Sequence, residues 1–153
     1  MVSDTLVLGV GNTLRRDDGV GPAVIKLLQQ ENLPNVDLLD GGVDGLGLID
    51  VINQYQRAII IDAVDMRLTS GSVKLFTVSD AKINIKNDAL STHGFGLAEV
   101  VGLLEQLGCD TEIKIIGVQP QDISFGEGLT EVVETKIPGV IELVKSVIPD
   151  PVC

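Results

Sequence analysis

Five side chains with acid–base or metal-ligating chemistry fall where a single fold can gather them. Asp17 and Asp18 follow a first apolar run, Asp40 closes a second and Asp62 ends a third. His93, the single histidine of the chain, stands ahead of a helical segment. Two carboxylates and one imidazole make a three-ligand set for a divalent transition metal, with open positions for water or substrate. A helix N-terminus beside His93 disfavours imidazolium and keeps the neutral, metal-binding form. Each residue also has a plainer reading. His93 can cap a helix or face solvent, Asp17 and Asp18 can be acids drawn to a helix N-terminus, and Asp40 and Asp44 can form turns among glycines. Asp62 resists a plain reading. A carboxylate inside the apolar run Ile59-Ile60-Ile61-Asp62-Ala63-Val64 costs several kcal/mol if buried alone, so it needs a partner or a cation. A cysteine nucleophile is less convincing, because Cys109 and Cys153 lie far from these positions and no second histidine is present to act as base.

The elements that must position these residues are legible as apolar runs and helical stripes. Thr5 to Val10 is a continuous apolar run and reads as a buried strand. After the polar loop that holds Arg15 to Asp18, a helix is expected from about Val20 to Asn32, with Pro22 in its first turn and Val20, Val24, Leu27 and Leu28 on one face. Val36 to Leu39 is a second strand. Leu46, Ile49 and Ile52 mark a short helix, and Arg57 to Val64 is a third strand, apolar on both faces and therefore central. Val73 to Val78 alternates like a strand near an edge, whereas Ser79 to Leu90 shows no firm period and reads as loop. Leu97, Val101 and Leu104 define a helix ending at Gly108. Glu112 to Val118 is a fifth strand, Gln119 to Gly128 a loop, and Ile137, Ile141, Val144 and Ile148 line a last helix. Strands alternating with helices predict one three-layer α/β/α domain over residues 1–153 with a mostly parallel sheet. Ligands of open α/β sheets bind outside the carboxyl ends of the strands. Asp17, Asp18, Asp40, Asp62, His93 and Gln119 all fall on or beside that rim.

The chain has 153 residues, 11 Lys plus Arg and 22 Asp plus Glu, for a net charge of −11. That balance excludes nucleic acid as a partner, since phosphate binding runs on Lys and Arg. Three Phe, one Tyr and no Trp leave little surface for stacking bases. A mean hydropathy of +0.34 supports a sizeable core, and no apolar run approaches the roughly 18 residues of a membrane span. The start carries no basic segment ahead of its apolar run, so a secretory signal is not expected. Two cysteines make no disulfide framework, and a cytoplasmic setting is expected. Nothing demands more than a monomer. A dinucleotide site is the rival reading, because Gly9-Val10-Gly11 and Asp40 mimic part of its fingerprint. Leu14 takes the place of the third glycine, however, and Asp17 and Asp18 would repel a pyrophosphate at the helix N-terminus.

The block Gly9-Val10-Gly11-Asn12-Thr13-Leu14, followed by Asp17-Asp18-Gly19-Val20-Gly21, resembles the opening motif of the nickel–iron hydrogenase maturation endopeptidases. Asp40-Gly41-Gly42, Ile61-Asp62-Ala63-Val64, Ser91-Thr92-His93 and Gly117-Val118-Gln119-Pro120 follow in order, so the resemblance spans Leu6 to Pro120. It implies a five-stranded sheet with one antiparallel strand, of the phosphorylase/hydrolase-like kind. It also implies an aspartyl-type endopeptidase that removes a C-terminal extension from the precursor of the hydrogenase large subunit once nickel is inserted. The family's metal ligands map onto Asp18, Asp62 and His93, and the metal they contact is the nickel of the precursor. Another divalent metal would fill the site in isolation. Hydrolysis would use a carboxylate as general base or a metal-bound hydroxide. Asp18 and Asp62 are then also the candidate catalytic residues, with Asp40 as a supporting or orienting acid. A non-catalytic nickel-binding maturation chaperone would use the same ligands and is the alternative.

Overall fold

A computed structural model describes residues 3–43, 45–78, 80 and 97–149. Asp44, His93, most of the Ser79–Leu90 segment expected to be loop, and the tail with Cys153 lie outside these residues.

The apolar runs form the strands β1 (Thr5–Val10), β2 (Val36–Gly42), β3 (Arg57–Ala63), β4 (Val73–Thr77) and β5 (Glu112–Val118). They pair in the order β2-β1-β3-β5-β4. β2, β1, β3 and β5 run parallel, and β4 runs antiparallel to β5 at the edge. β3, apolar on both faces, is central, as its lack of polar alternation predicts. The helices are α1 (Val20–Leu28), α2 (Gly45–Ile52), α3 (Leu97–Gln106), α4 (Glu131–Glu134) and α5 (Ile137–Val147).

Period-2 alternation splits each strand between two cores. Leu6, Leu8, Ala58, Ile60, Ile113 and Ile115 pack with Leu48, Ile49, Ile52 and Leu104 from α2 and α3. Their neighbours Val7, Ile59, Ile61, Ile116 and Val118 pack on the opposite face with α1, α4 and α5. The sheet is therefore sandwiched between helical layers, as the sequence predicts. Several ends differ from expectation. α1 stops at Leu28 rather than near Asn32, because the residues beyond carry no apolar side chain to bury: Gln29, Gln30, Glu31 and Asn32 are all exposed. β2 runs on through Asp40 to Gly42, and a 3-10 turn over Arg16–Gly19 stands within the expected loop.

The connection through α1 carries the chain from β1 to β2, and the one through α2 carries it from β2 back to β3 on the other side of β1. The chain leaves β1 toward β2 but leaves β3 toward β4 and β5, so the strand order reverses between β1 and β3, and α1 and α2 lie on opposite faces. At such a reversal the two connections diverge and leave a crevice outside the carboxyl ends. Asp18 follows one of the two flanking strands and Asp62 ends the other.

Far from that rim, Asp37 of β2 accepts hydrogen bonds from the Tyr55 hydroxyl (2.7 Å) and the Ser3 hydroxyl (2.8 Å). These bonds, led by that of Tyr55, hold the Asp37 carboxyl below its ordinary value. Burial, with the Asp37 bond, pushes the Tyr55 phenol up to about 12 from an ordinary 10.0. The folded state thus holds the phenolic proton more tightly than the unfolded chain, and this contribution to stability is lost as pH rises from 10 through 12. Tyr55→Phe should remove that alkaline loss. Urea midpoints at pH 9 and pH 11.5 should differ less for the variant than for the wild-type protein.

Candidate active site

Backbone contact between α1 and the sheet sets the position of the acidic pair. A Cβ added to Gly21 would meet the carbonyl oxygen of Ile61 and lie 2.7 Å from Val10 N. A Cβ on Gly9 would meet the carbonyl of Gly21 in turn. Gly11, at φ +143°, lies so close to the carbonyl of Asp18 that no side chain fits between them. The start of α1 therefore rests on the bare backbone of β1 and β3, and the Arg16–Gly19 turn packs against β3. Asp18 lies three residues before Gly21, and Asp62 directly follows Ile61. One backbone contact brings both to the rim.

Asp18 and Asp62 are each 0% exposed. The Asn12 N–H donates to Asp18 Oδ2 at 2.9 Å, which orients that carboxylate. Two buried carboxylates on opposite sides of a strand-order crevice are hard oxygen donors suited to a divalent cation. The imidazole of the expected set, His93, lies outside the described residues. Among those residues no three metal-type ligands gather.

Asp17 has a different task. It too is 0% exposed, and both of its oxygens are taken by the chain beyond β5. Oδ2 accepts the N–H groups of Gln121 (2.9 Å) and Asp122 (3.0 Å), and Oδ1 accepts the N–H of Thr130 (2.7 Å). The Thr130 hydroxyl donates to both oxygens. Backbone bonds between Leu14 and Gly126, Arg16 and Gly126, and Asp17 and Asp122 close the same seam. Asp17 is thus a clamp that fixes residues 119–130 against the turn. The sequence signal for it is weak: two adjacent acids, with the donors more than a hundred residues away.

Asp40 stands at the same end of the sheet but is exposed, and its Oδ1 accepts the Gly42 N–H at 3.0 Å, the turn-forming contact that its glycine neighbours predict. It lines a groove of about 510 Å³ together with Thr13, Gly19, Pro22 and Lys26. Gln119, 7% exposed, fixes the loop after β3. Its Oε1 accepts the N–H of Met66 at 2.6 Å and of Leu68 at 3.3 Å, and its Nε2 donates to Asp65 at 3.2 Å. Cys109, a free thiol packed beside the core ahead of β5, lies at the opposite end of the sheet.

A buried carboxylate pair at the switch point of a five-stranded α/β sheet puts acidic groups where proteins of this class bind their ligands. The family model for HycI, hydrogenase maturation protease, matches residues 22–147. The hydrogenase expression/formation protein HupD of Rhizobium leguminosarum bv. viciae is 35% identical over 141 residues, which cover 90% of this chain and 70% of that protein. A solved endopeptidase from Escherichia coli superposes with a TM-score of 0.84 at 33% identity, over 95% of this chain and 91% of its own. The hydrogenase maturating endopeptidase HybD from Escherichia coli gives 0.82 at 29% identity, over 97% and 92%. The chain belongs to the hydrogenase maturation protease family and is a peptidase.

Two stability measurements follow from this geometry. Asp17→Ala leaves three backbone N–H groups and the Thr130 hydroxyl without their acceptor, a loss of about 3–5 kcal/mol at roughly 1–3 kcal/mol for each buried donor left unmade. Its thermal midpoint should fall by roughly 10 °C at the usual few degrees per kcal/mol. Gly21→Ala must push α1 off β3, costing about 1–3 kcal/mol by overpacking, and should lower the urea midpoint with little change in slope.

Proposed function

We propose that this peptidase removes the C-terminal extension of a nickel-loaded hydrogenase large-subunit precursor. Asp18, Asp62 and His93 contact the nickel carried by the substrate and so place the scissile bond at the rim. The observation that carries this reading is the pair of fully buried carboxylates, Asp18 and Asp62, flanking the strand-order reversal. Two buried oxygen donors at the ligand-binding rim of an α/β sheet suit a divalent cation, and a substrate metal is such a cation. The donor set is oxygen-rich with one nitrogen, which suits a contact that forms and is released rather than a permanent thiolate cage.

In the hydrolytic step, water attacks the scissile carbonyl while a rim carboxylate accepts its proton and returns it to the leaving amine. Asp40, open to solvent at the end of β2, is the supporting acid that orients this water. Another divalent metal can fill the three-ligand set when no precursor is bound. The protein works as one chain in the cytoplasm, where Cys109 stays reduced. No helix among the described residues is long and apolar enough to cross a membrane.

Asp18→Asn, Asp62→Asn and His93→Ala should each lower processing at least about a hundredfold, the usual scale for loss of a general acid or base, while the fold is retained. The check is the mass of the large subunit after incubation with each variant, beside thermal unfolding of the variant itself. Full processing by Asp62→Asn would contradict the assignment. Association of the wild-type protein with precursor, without release of a peptide, would favour the chaperone reading instead.

A further inference from the structure

Hydrolysis of a peptide bond makes two demands on the rim. A base must take the proton of the attacking water, and a hydrogen-bond donor must meet the carbonyl oxygen as it turns negative. The rim is rich in the first kind of group and poor in the second. Asp18 and Asp62 are buried there, and Asp40 stands at the same end of the sheet. An oxygen that becomes anionic among them meets like charges.

The larger donors of the rim are already engaged. Arg15 gives its Nε–H to the carbonyl of Ile123 at 3.1 Å and lies 5.8 Å over the Phe125 ring. Arg16 pairs with Asp122 at 3.7 Å, and the Gln119 amide donates to Asp65. The Thr130 hydroxyl is held by Asp17, and Arg67 has a partner as well.

Asn12 differs from these. It stands just beyond β1, half-buried, and its backbone N–H reaches Asp18 Oδ2 at 2.9 Å. Its Oδ1 accepts the N–H of Leu14 at 2.9 Å. A backbone N–H can only donate, so the side-chain atom facing Leu14 is the oxygen, and the amide nitrogen occupies the other branch. That nitrogen has no hydrogen-bond partner among the described residues, and it is not buried. The turn around it is fixed: the Arg15 N–H donates to the Asn12 carbonyl and the Asp18 N–H to the Arg15 carbonyl, each at 3.0 Å. An open donor is thus held, before any substrate arrives, on the residue whose own backbone binds Asp18. Donors fixed in advance cost no reorganisation when charge develops.

We infer that the Asn12 side-chain amide is a catalytic hydrogen-bond donor to the oxygen of the scissile carbonyl. The water oxygen adds to the carbonyl carbon while a rim carboxylate takes its proton. The π pair of the carbonyl moves onto the oxygen that Asn12 Nδ2–H holds. When that pair returns, the C–N bond breaks and the carboxylate gives its proton to the leaving nitrogen. Asn12 transfers no proton itself. A neutral amide suits the place, because a Lys or Arg there would pair with Asp18 in the resting protein. This inference rests on the proposed cleavage.

The test is single-turnover cleavage of the nickel-loaded precursor by Asn12→Ser and Asn12→Asp. Both keep an oxygen to accept the Leu14 N–H and both lose the amide donor, Asn12→Ser without adding a charge. Each should cleave bound precursor about a hundred- to a thousandfold more slowly, the scale for loss of one such donor. Precursor affinity and thermal midpoint should stay near those of the wild type. A residue that only forms the turn would leave both variants cleaving at close to the wild-type rate. A wild-type rate in either variant, or a loss confined to affinity, overturns the donor. If the wild-type protein itself releases no peptide, the proposed cleavage falls and the donor with it; equal release by wild type and variants overturns the donor alone.

Discussion

Backbone-to-backbone contact between the start of α1 and the ends of β1 and β3 is the constraint on which the rest of the site depends. Helices ordinarily rest on sheets through side chains. Here Gly9, Gly11 and Gly21 remove the side chains, and a Cβ at any of them would meet main-chain atoms. The helix start therefore sinks to the depth of the strands and carries the Arg16–Gly19 turn with it. This buries Asp18 beside the strand that bears Asp62, in a crevice the strand order has already opened.

Around this contact, buried polar side chains do what apolar packing cannot do for loops. Asp17 and Gln119 accept hydrogen bonds from backbone N–H groups of segments with no regular partners of their own. A single carboxylate answering three N–H groups and a hydroxyl makes a seam rigid, because any departure leaves charged and polar atoms unmatched. The two adjacent acids thus divide the work: Asp17 holds the frame, and Asp18 stands at the rim.

Most of the layering was readable in the residues. The runs at Thr5, Arg57 and Glu112 are short, rich in branched apolar residues and bounded by turn residues, as buried strands are, and the turn-rich, alternating segment at Val73 marks an edge. Asp62 was readable because an acid in an isoleucine run needs a reason. Asp17 was not, since its donors at Gln121, Asp122 and Thr130 lie 104 to 113 residues away and periodicity sees only near neighbours. The over-long first helix has a similar cause: propensity carries a helix through Gln29–Asn32, but no apolar surface there gives it anything to bury. The short α4 carries no sequence signal, because four residues hold no period. Phe125 sits between serine and glycine in a loop, where only its exposed ring distinguishes it.

We propose that the glycine-permitted contact buries Asp18 and Asp62 at one rim so that, with His93, they read the metal of the substrate. The most direct measurement is incubation of the wild-type protein with nickel-loaded and nickel-free precursor, followed by the mass of the large subunit. The account predicts loss of the C-terminal extension from the nickel-loaded precursor alone. Equal cleavage of both forms would contradict it.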